Sequence, residues 1–390
     1  MNPSSHGWIE KLLKEVSSNE TYLQAPISDF YRALKRCGFI YGSNVDVIYN
    51  SVNKGDLSSE ELCKVNLMLT FKYVHHNQHC NSDFVDSVIN FYKAIEEYKI
   101  SFLEGLLGEK KSSALLEKII SKRIHIDDNI ITKNFNYFII NALLFVDVLA
   151  YQKSLLTNSI SEEYLKHIEA SIETIVIKVF DTKQDKTEYD KSLIKLFEAS
   201  LRYHNNDTLN YKEIIGHITS PLEKQYIVDI VCMASWSDKS IDKTELDFLN
   251  QMQKDLGFET ELITTSIDDI NTFYHTNKDG IAFLNSKNLV QSFYDNSSQI
   301  VSKLISRNSK RLNKELKQSK ELMILLTQST TRNLSDEEQK QVHDQLIDII
   351  KSIPSLAIFL LPGGALLLPI FIKFIPKLLP SAFDDNRLDE

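Results

Sequence analysis

The chain has 390 residues, of which 43% are hydrophobic and 25% charged, and its net charge is -9. That length accommodates two or three domains, and the composition is ordinary for a globular protein. With this acidic balance the chain as a whole is not expected to be a nucleic-acid binder, and no DNA partner is expected. Four scattered cysteines (Cys37, Cys63, Cys80 and Cys232) with no CxxC pair exclude a disulfide scaffold and point to a reducing compartment.

Glycine (11) and proline (8) are scarce. No proline occurs from Ile27 to Ser220, which favours long helices over strands and turns. The N-terminus MNPSSHGWIEKLLKEV is polar and then amphipathic. It lacks the basic start and apolar core of a secretory signal, so the bulk of the chain is expected in the cytoplasm.

Helical periodicity begins after Pro26, with Phe30, Leu34 and Cys37 on one face. Ser58 and Glu61 have the spacing of a capping box, and Leu62, Val65, Leu69 and Tyr73 follow as one stripe. His75, His76, His79 and Cys80 form i, i+4 pairs near a helix end. Such pairs suit zinc, but no second ligand cluster is visible, which favours a histidine-rich terminus facing the helix dipole. A long helix is expected from Phe84 to Leu107. Tyr137 to Ala150 is apolar almost all round except at Asn141 and Asp147, and predicts a central core helix. Ile172–Phe180 and Leu193–Leu201 continue the pattern, and no segment alternates as a strand would.

The polar run His204–Leu209 marks a linker. A second helical unit follows, entered through Ser220-Pro221 with proline in the first turn. In it an apolar helix ends at Trp236, an acidic turn holds Asp238, and a new helix starts at Asp242. This stretch resembles the TerB-like helical domain associated with tellurite resistance. Asp238, Ile241, Asp242, Glu245, Leu249 and the Leu256-Gly257 stop carry the resemblance. Asp238, Asp242 and Glu245 are candidate oxygen ligands for a divalent cation. In the alternative, Asp242 and Glu245 are a helix capping box and Asp238 is a solvated turn residue.

No phosphate loop, dinucleotide fingerprint, nucleophile elbow or HExxH motif is present, so neither catalysis nor a cofactor is expected.

Lys303, Arg307, Lys310, Lys314 and Lys317 step at helical spacing, with Arg311 close by and Leu304, Ile305, Leu312 and Leu316 opposite. The predicted helix carries a docking face for anionic lipid headgroups or ribosomal RNA, unless it is simply a solvated face. Ser335 and Glu338 form another capping box, and Val342, Leu346, Ile349, Ile350 and Ile353 make the stripe behind it. Ser352 to Ile372 carries no charge. As one helix at ~1.5 Å per residue it would reach about 30 Å, the hydrocarbon thickness of a bilayer. Pro362-Gly363-Gly364 at its midpoint opposes a straight span, leaving a kinked span, a re-entrant hairpin or two short packed helices.

The order Pro354, Pro362, Pro369, Lys373, Pro376, Pro380, Ser381, Phe383, preceded by Leu334-Ser335-x-x-Glu338, resembles the leucine-zipper and EF-hand transmembrane (LETM) family. The layout is similar to a bacterial group of that family linked to biofilm formation. The resemblance implies a non-enzymatic, membrane-associated protein on the cytoplasmic side of a bacterial inner membrane, peripheral or with a single broken span. It implies roles in cation homeostasis or in binding and tethering ribosomes. The implied partners are anionic lipid headgroups and the ribosome, with a homo-oligomer required for ion transport. A soluble helical scaffold and a divalent-cation-responsive protein are the alternatives. Lys373 is the ionisable residue well inside the tail, either a site or a lysine snorkelling to the interface. The expected architecture is all-α: an N-terminal multi-helix domain over 1–205, a TerB-like domain over 209–298, and a LETM-like region over 299–390 with a proline-broken apolar segment at 352–380.

Overall fold

The computed structural model describes residues 2–17, 21–49, 57–95, 112–124, 130–182, 210–236, 241–258, 261–277, 301–302, 304–329, 332, 334–353, 356 and 368–379. The fold is all-helical, and no strand occurs among the described residues. Backbone contacts divide it into two compact units, Met1–Ile126 with Asn136–Ile281, and Asp127–Phe135 with Ala282–Glu390.

The first unit opens with α1 (Trp8–Ser17), a short 3-10 turn (Thr21–Gln24) and α2 (Ile27–Arg36). Trp8, Ile9, Leu12 and Val16 give α1 its buried face. The first turn of any helix leaves backbone amides without partners. Here Glu117 supplies them from far along the chain, accepting from Gly7 N at 3.1 Å and Ile9 N at 3.0 Å. Pro26 is the N-cap of α2, and Phe30, Leu34 and Cys37 are buried as the periodicity predicts. Gly38 ends that helix at φ +83°, where a Cβ would lie 2.0 Å from the Ser43 carbonyl oxygen, so only glycine fits.

Helices α3 (Ser59–Asn77), α4 (Phe84–Ala94), α5 (Ser112–Ile124), α6 (Ile130–Thr157) and α7 (Glu162–Thr182) follow. The Ser58–Glu61 capping box is formed in both directions. The stripe Leu62, Val65, Leu69, Tyr73 is buried, but so are Cys63, Asn66, Leu67, Met68, Thr70 and Phe71. Helix α3 is therefore enclosed on nearly every side. The helix expected from Phe84 to Leu107 stops at Ala94 with Ile95 as its C-cap, and Tyr98 lies outside the described residues. Helix α6 is the central helix that its apolar sequence predicts: every residue from Asn141 to Tyr151 is buried. Asp147 inside it is matched by Arg123 of α5, whose Nε and Nη2 donate at 2.6 and 2.5 Å.

The unit is completed by α8 (Tyr211–His217), α9 (Pro221–Ser235), α10 (Lys243–Asp255) and α11 (Leu262–Asn277). Pro221 opens α9 and Trp236 closes it. Asp242 caps α10, Leu256 ends it, and Gly257 follows at φ +80°. Helix α9 packs on α7 and α11, α10 on α7, and α11 on α2. Helices from both sides of the run at 204–209 thus share one core, and that run and Leu193–Leu201 lie outside the described residues. Polar ties reinforce the packing. The Tyr226 hydroxyl donates to the Ala142 carbonyl at 2.7 Å, and the Tyr31 hydroxyl donates to the buried carboxylate of Asp229 at 2.9 Å.

The second unit contains α12 (Ser309–Leu316), α13 (Lys320–Gln328), α14 (Asp336–Ser352) and α15 (Leu368–Leu378). Their inner faces meet in one core. Leu312 and Leu316 come from α12, and Leu322, Met323, Leu325 and Leu326 from α13. Val342, Leu346 and Ile350 come from α14, with Phe371 and Ile375 from α15. Burying such side chains contributes about 1.5–3 kcal/mol each against an exposed reference.

Candidate functional site

The basic face is built on α12. Lys310, Arg311 and Lys314 are exposed, while Leu312 and Leu316 are fully buried. At 100° per residue, 310, 311 and 314 fall on one side of the helix and 312 and 316 on the other. Packing of the leucines therefore fixes the outward direction of the cations. Lys317, also exposed, is the C-cap residue, and Arg307 is half-buried before the helix begins. Lys310, Arg311 and Lys314 make no ion pair among the described residues.

The expected single helix through the whole basic stripe is corrected here. The helix breaks at Asn308, which becomes the N-cap of α12 with φ -99° and ψ 11°. The Asn308 side-chain amide donates to the Leu304 carbonyl at 2.7 Å, taking up an acceptor at the end of the preceding turn. Asparagine competes with the helical ladder in this way without proline or glycine. Lys303 lies outside the described residues.

Two polar clasps hold the two ends of α13 to α14. The Ser319 side chain accepts from Leu322 N at 3.4 Å, and its hydroxyl donates to Gln345 Oε1 of α14 at 2.9 Å. At the start of α14, Ser335 and Glu338 form the predicted capping box, with Glu338 N donating to Ser335 Oγ at 3.2 Å and Ser335 N to Glu338 Oε2 at 2.8 Å. Arg332 adds a contact that sequence reading missed. Its Nη1 and Nη2 donate to Glu338 at 2.8 and 2.7 Å, and Nη2 also reaches Gln328 Oε1 at the end of α13. The Arg332 guanidinium, with help from the Ser335 amide, holds the Glu338 carboxyl down at about 2. The signal was local: an arginine six residues before the carboxylate of a capping box.

The proline-rich tail is described over α15. Phe371, Ile375 and Leu379 face the unit's own core, and Lys373 is exposed. Pro369 and Pro376 lie within α15. Pro354, Pro362, Gly363, Gly364, Pro380, Ser381 and Phe383 lie outside the described residues. No described helix is long and apolar enough to cross a membrane, so the expected transmembrane helix finds no support here.

The other candidates do not converge. Asp242 and Glu245 serve α10 as a capping box, Glu245 N donating to Asp242 Oδ1 at 2.8 Å and Asp242 N to Glu245 Oε2 at 2.9 Å. Asp238 is outside the described residues. His75 points inward against the Phe84 ring, and burial lowers its affinity for a proton. His76 is exposed, and His79 lies beyond the helix end at φ 50°. The expected sharing of one helical face by His75 and His79 therefore fails. No group of three or more histidine, cysteine, aspartate or glutamate side chains is placed to hold a metal among the described residues. Cys37 is buried and its thiol is pushed up to about 12, so it stays protonated and unreactive.

Compared with known families, residues 334–390 match the family described as "LETM1-like, RBD", which covers α14 and α15. Searches of curated proteins and of solved structures find no match.

Proposed function

On the premise that the C-terminal region of this chain is LETM1-like, we propose that the protein is a non-enzymatic ribosome-binding protein, and that α12 is its contact with ribosomal RNA. The observation carrying this reading is the shared core of the second unit. The matched helices α14 and α15 and the basic helix α12 pack through Leu312, Leu316, Val342, Leu346, Phe371 and Ile375, so the cationic face belongs to the same rigid body as the family match. Exposed lysine and arginine on a rigid helix bind phosphates by displacing condensed counterions, at little ordering cost to the helix. The net charge of -9 argues against phosphate binding by the surface as a whole. We place the activity at a bacterial membrane surface, supported by the charge-free run Ser352–Ile372 of the sequence. Cation homeostasis, the other role the family implies, would require assembly into oligomers.

Co-sedimentation of the full-length protein with purified ribosomes tests the reading. The protein should travel with ribosomes at about 50 mM salt and leave them progressively toward about 200 mM, the signature of phosphate contacts. Protein that stays at the top of the gradient at low salt, yet pellets with anionic vesicles, would assign the face to lipid instead.

A further inference from the structure

A cavity of about 400 Å³ opens in the first unit between the end of α6, the start of α7 and the turn from α8 to α9. Ile168 and Ile227, both buried, give it an apolar side. Its polar groups are unbalanced. On the acceptor side, Glu223 takes the Tyr164 hydroxyl and the Ser220 amide, which occupies it as part of the α9 capping box. Glu163 is paired with Lys166 at 3.6 Å and lies largely in solvent. On the donor side, the Lys153 ammonium sits 4.0 Å from the centre of the Tyr164 ring and pairs with no carboxylate among the described residues. His167 Nε2 is buried without a hydrogen-bond partner, and its ring meets that of His217 edge-on with centroids 5.0 Å apart. Thr219 adds a hydroxyl at the rim.

We propose that this cavity binds a phosphomonoester, with its phosphate between Lys153, His167 and His217 and its organic part over Ile168 and Ile227. The Glu223 carboxylate is already engaged, the Lys153 ammonium and His167 Nε2 are not, and the space exceeds what a phosphate alone fills. Burial and the neighbouring His217 and Lys153 charges disfavour a proton on His167, while Glu223 favours one. A bound anion removes that opposition, so binding strengthens as the pH falls through the imidazole range.

Titration calorimetry on the full-length protein, with glycerol 2-phosphate, inorganic phosphate and sulfate as probes, decides the matter. The ester is expected to bind tighter than inorganic phosphate. Lys153→Gln and His167→Gln should each weaken it about tenfold, with the helical circular dichroism unchanged. Sulfate stays dianionic throughout, so its binding should strengthen from about pH 8 to pH 6 in the wild type and change less in His167→Gln. Equal affinity for ester and inorganic phosphate would reassign the site to the free anion and overturn the ester. Unchanged affinity in both variants, or no heat with any probe at millimolar concentration, would overturn the site altogether. None of these readouts involves ribosomes, so failure here leaves the α12 reading untouched.

Discussion

Arg332 spans both oxygens of Glu338, at 2.8 and 2.7 Å, and so fastens the end of α13 to the first turn of α14. Glu338 is also the third residue of the α14 capping box, so one carboxylate closes the turn and caps the helix. The Glu338 pKa is depressed in the folded state. Its contribution to stability is therefore present above the ordinary glutamate range and lost as the pH falls toward about 2. In Arg332→Gln the Glu338 carboxyl should titrate at higher pH, toward the ordinary glutamate value of about 4.3. Carboxylate chemical shifts followed by NMR would show it, and an unchanged midpoint would mean that the capping amides alone hold the charge.

Phe371 tests whether the tail belongs to the protein core. It is fully buried against the core of the second unit. Phe371→Ala should cost about 3–5 kcal/mol of that unit's stability. Amide hydrogen exchange in α14 should speed up accordingly. Unchanged protection in α14 would place the phenylalanine elsewhere, for instance in lipid.

The Arg123–Asp147 pair is the polar centre of the first unit, with Tyr92 donating to the same carboxylate at 3.1 Å. Removing one partner strands a buried charge. Arg123→Met or Asp147→Leu alone should cost about 3–5 kcal/mol, and the double replacement much less than the sum. Urea unfolding of the three variants gives the comparison, and simple additivity would rule out the coupling.

Lys35 of α2 pairs with Asp229 of α9, at 3.4 Å, and with Asp269 of α11. Burial raises the Asp229 pKa, and Lys35 is the strongest influence opposing that rise. A carboxyl raised by folding binds its proton more tightly in the folded state, so stability falls as the pH climbs through the raised value. Lys35→Met removes the opposing charge and should steepen the loss of stability above the ordinary aspartate range. Urea midpoints measured from pH 5 to 8 should fall faster in Lys35→Met than in the wild type. Parallel curves would show that the Tyr31 hydroxyl, rather than Lys35, carries the compensation.

Local chemistry was the legible part of this chain. The capping boxes at Ser58–Glu61, Asp242–Glu245 and Ser335–Glu338 lie within four residues and form as read. The all-α class and the burial of α6 also followed from pattern alone. Features that depend on distant partners were hidden. The stripe Leu62, Val65, Leu69, Tyr73 gives no sign that Asn66 and Thr70 of α3 are buried as well. Yet Asn66 is buried because its amide donates to Asn44 Oδ1 at 2.8 Å and to the Asp46 carbonyl at 2.9 Å, from a loop some twenty residues earlier. Glu117 capping α1 is of the same kind. The break at Asn308 is the opposite case, a local side-chain bond that spacing alone gives no reason to expect. On the basic face, sequence supplied the cations, but only packing shows that the helix carrying Lys310, Arg311 and Lys314 shares a core with the matched helices.

The central claim is that α12 binds the ribosome. Its most direct test is co-sedimentation of Lys310→Glu/Arg311→Glu/Lys314→Glu beside the wild type at about 50 mM salt, where phosphate contacts are strongest. Those three side chains are exposed, so the variant should keep its helical content and its thermal midpoint. The account predicts that the wild type sediments with ribosomes and the variant stays at the top of the gradient. A folded variant that sediments as fully as the wild type would contradict it.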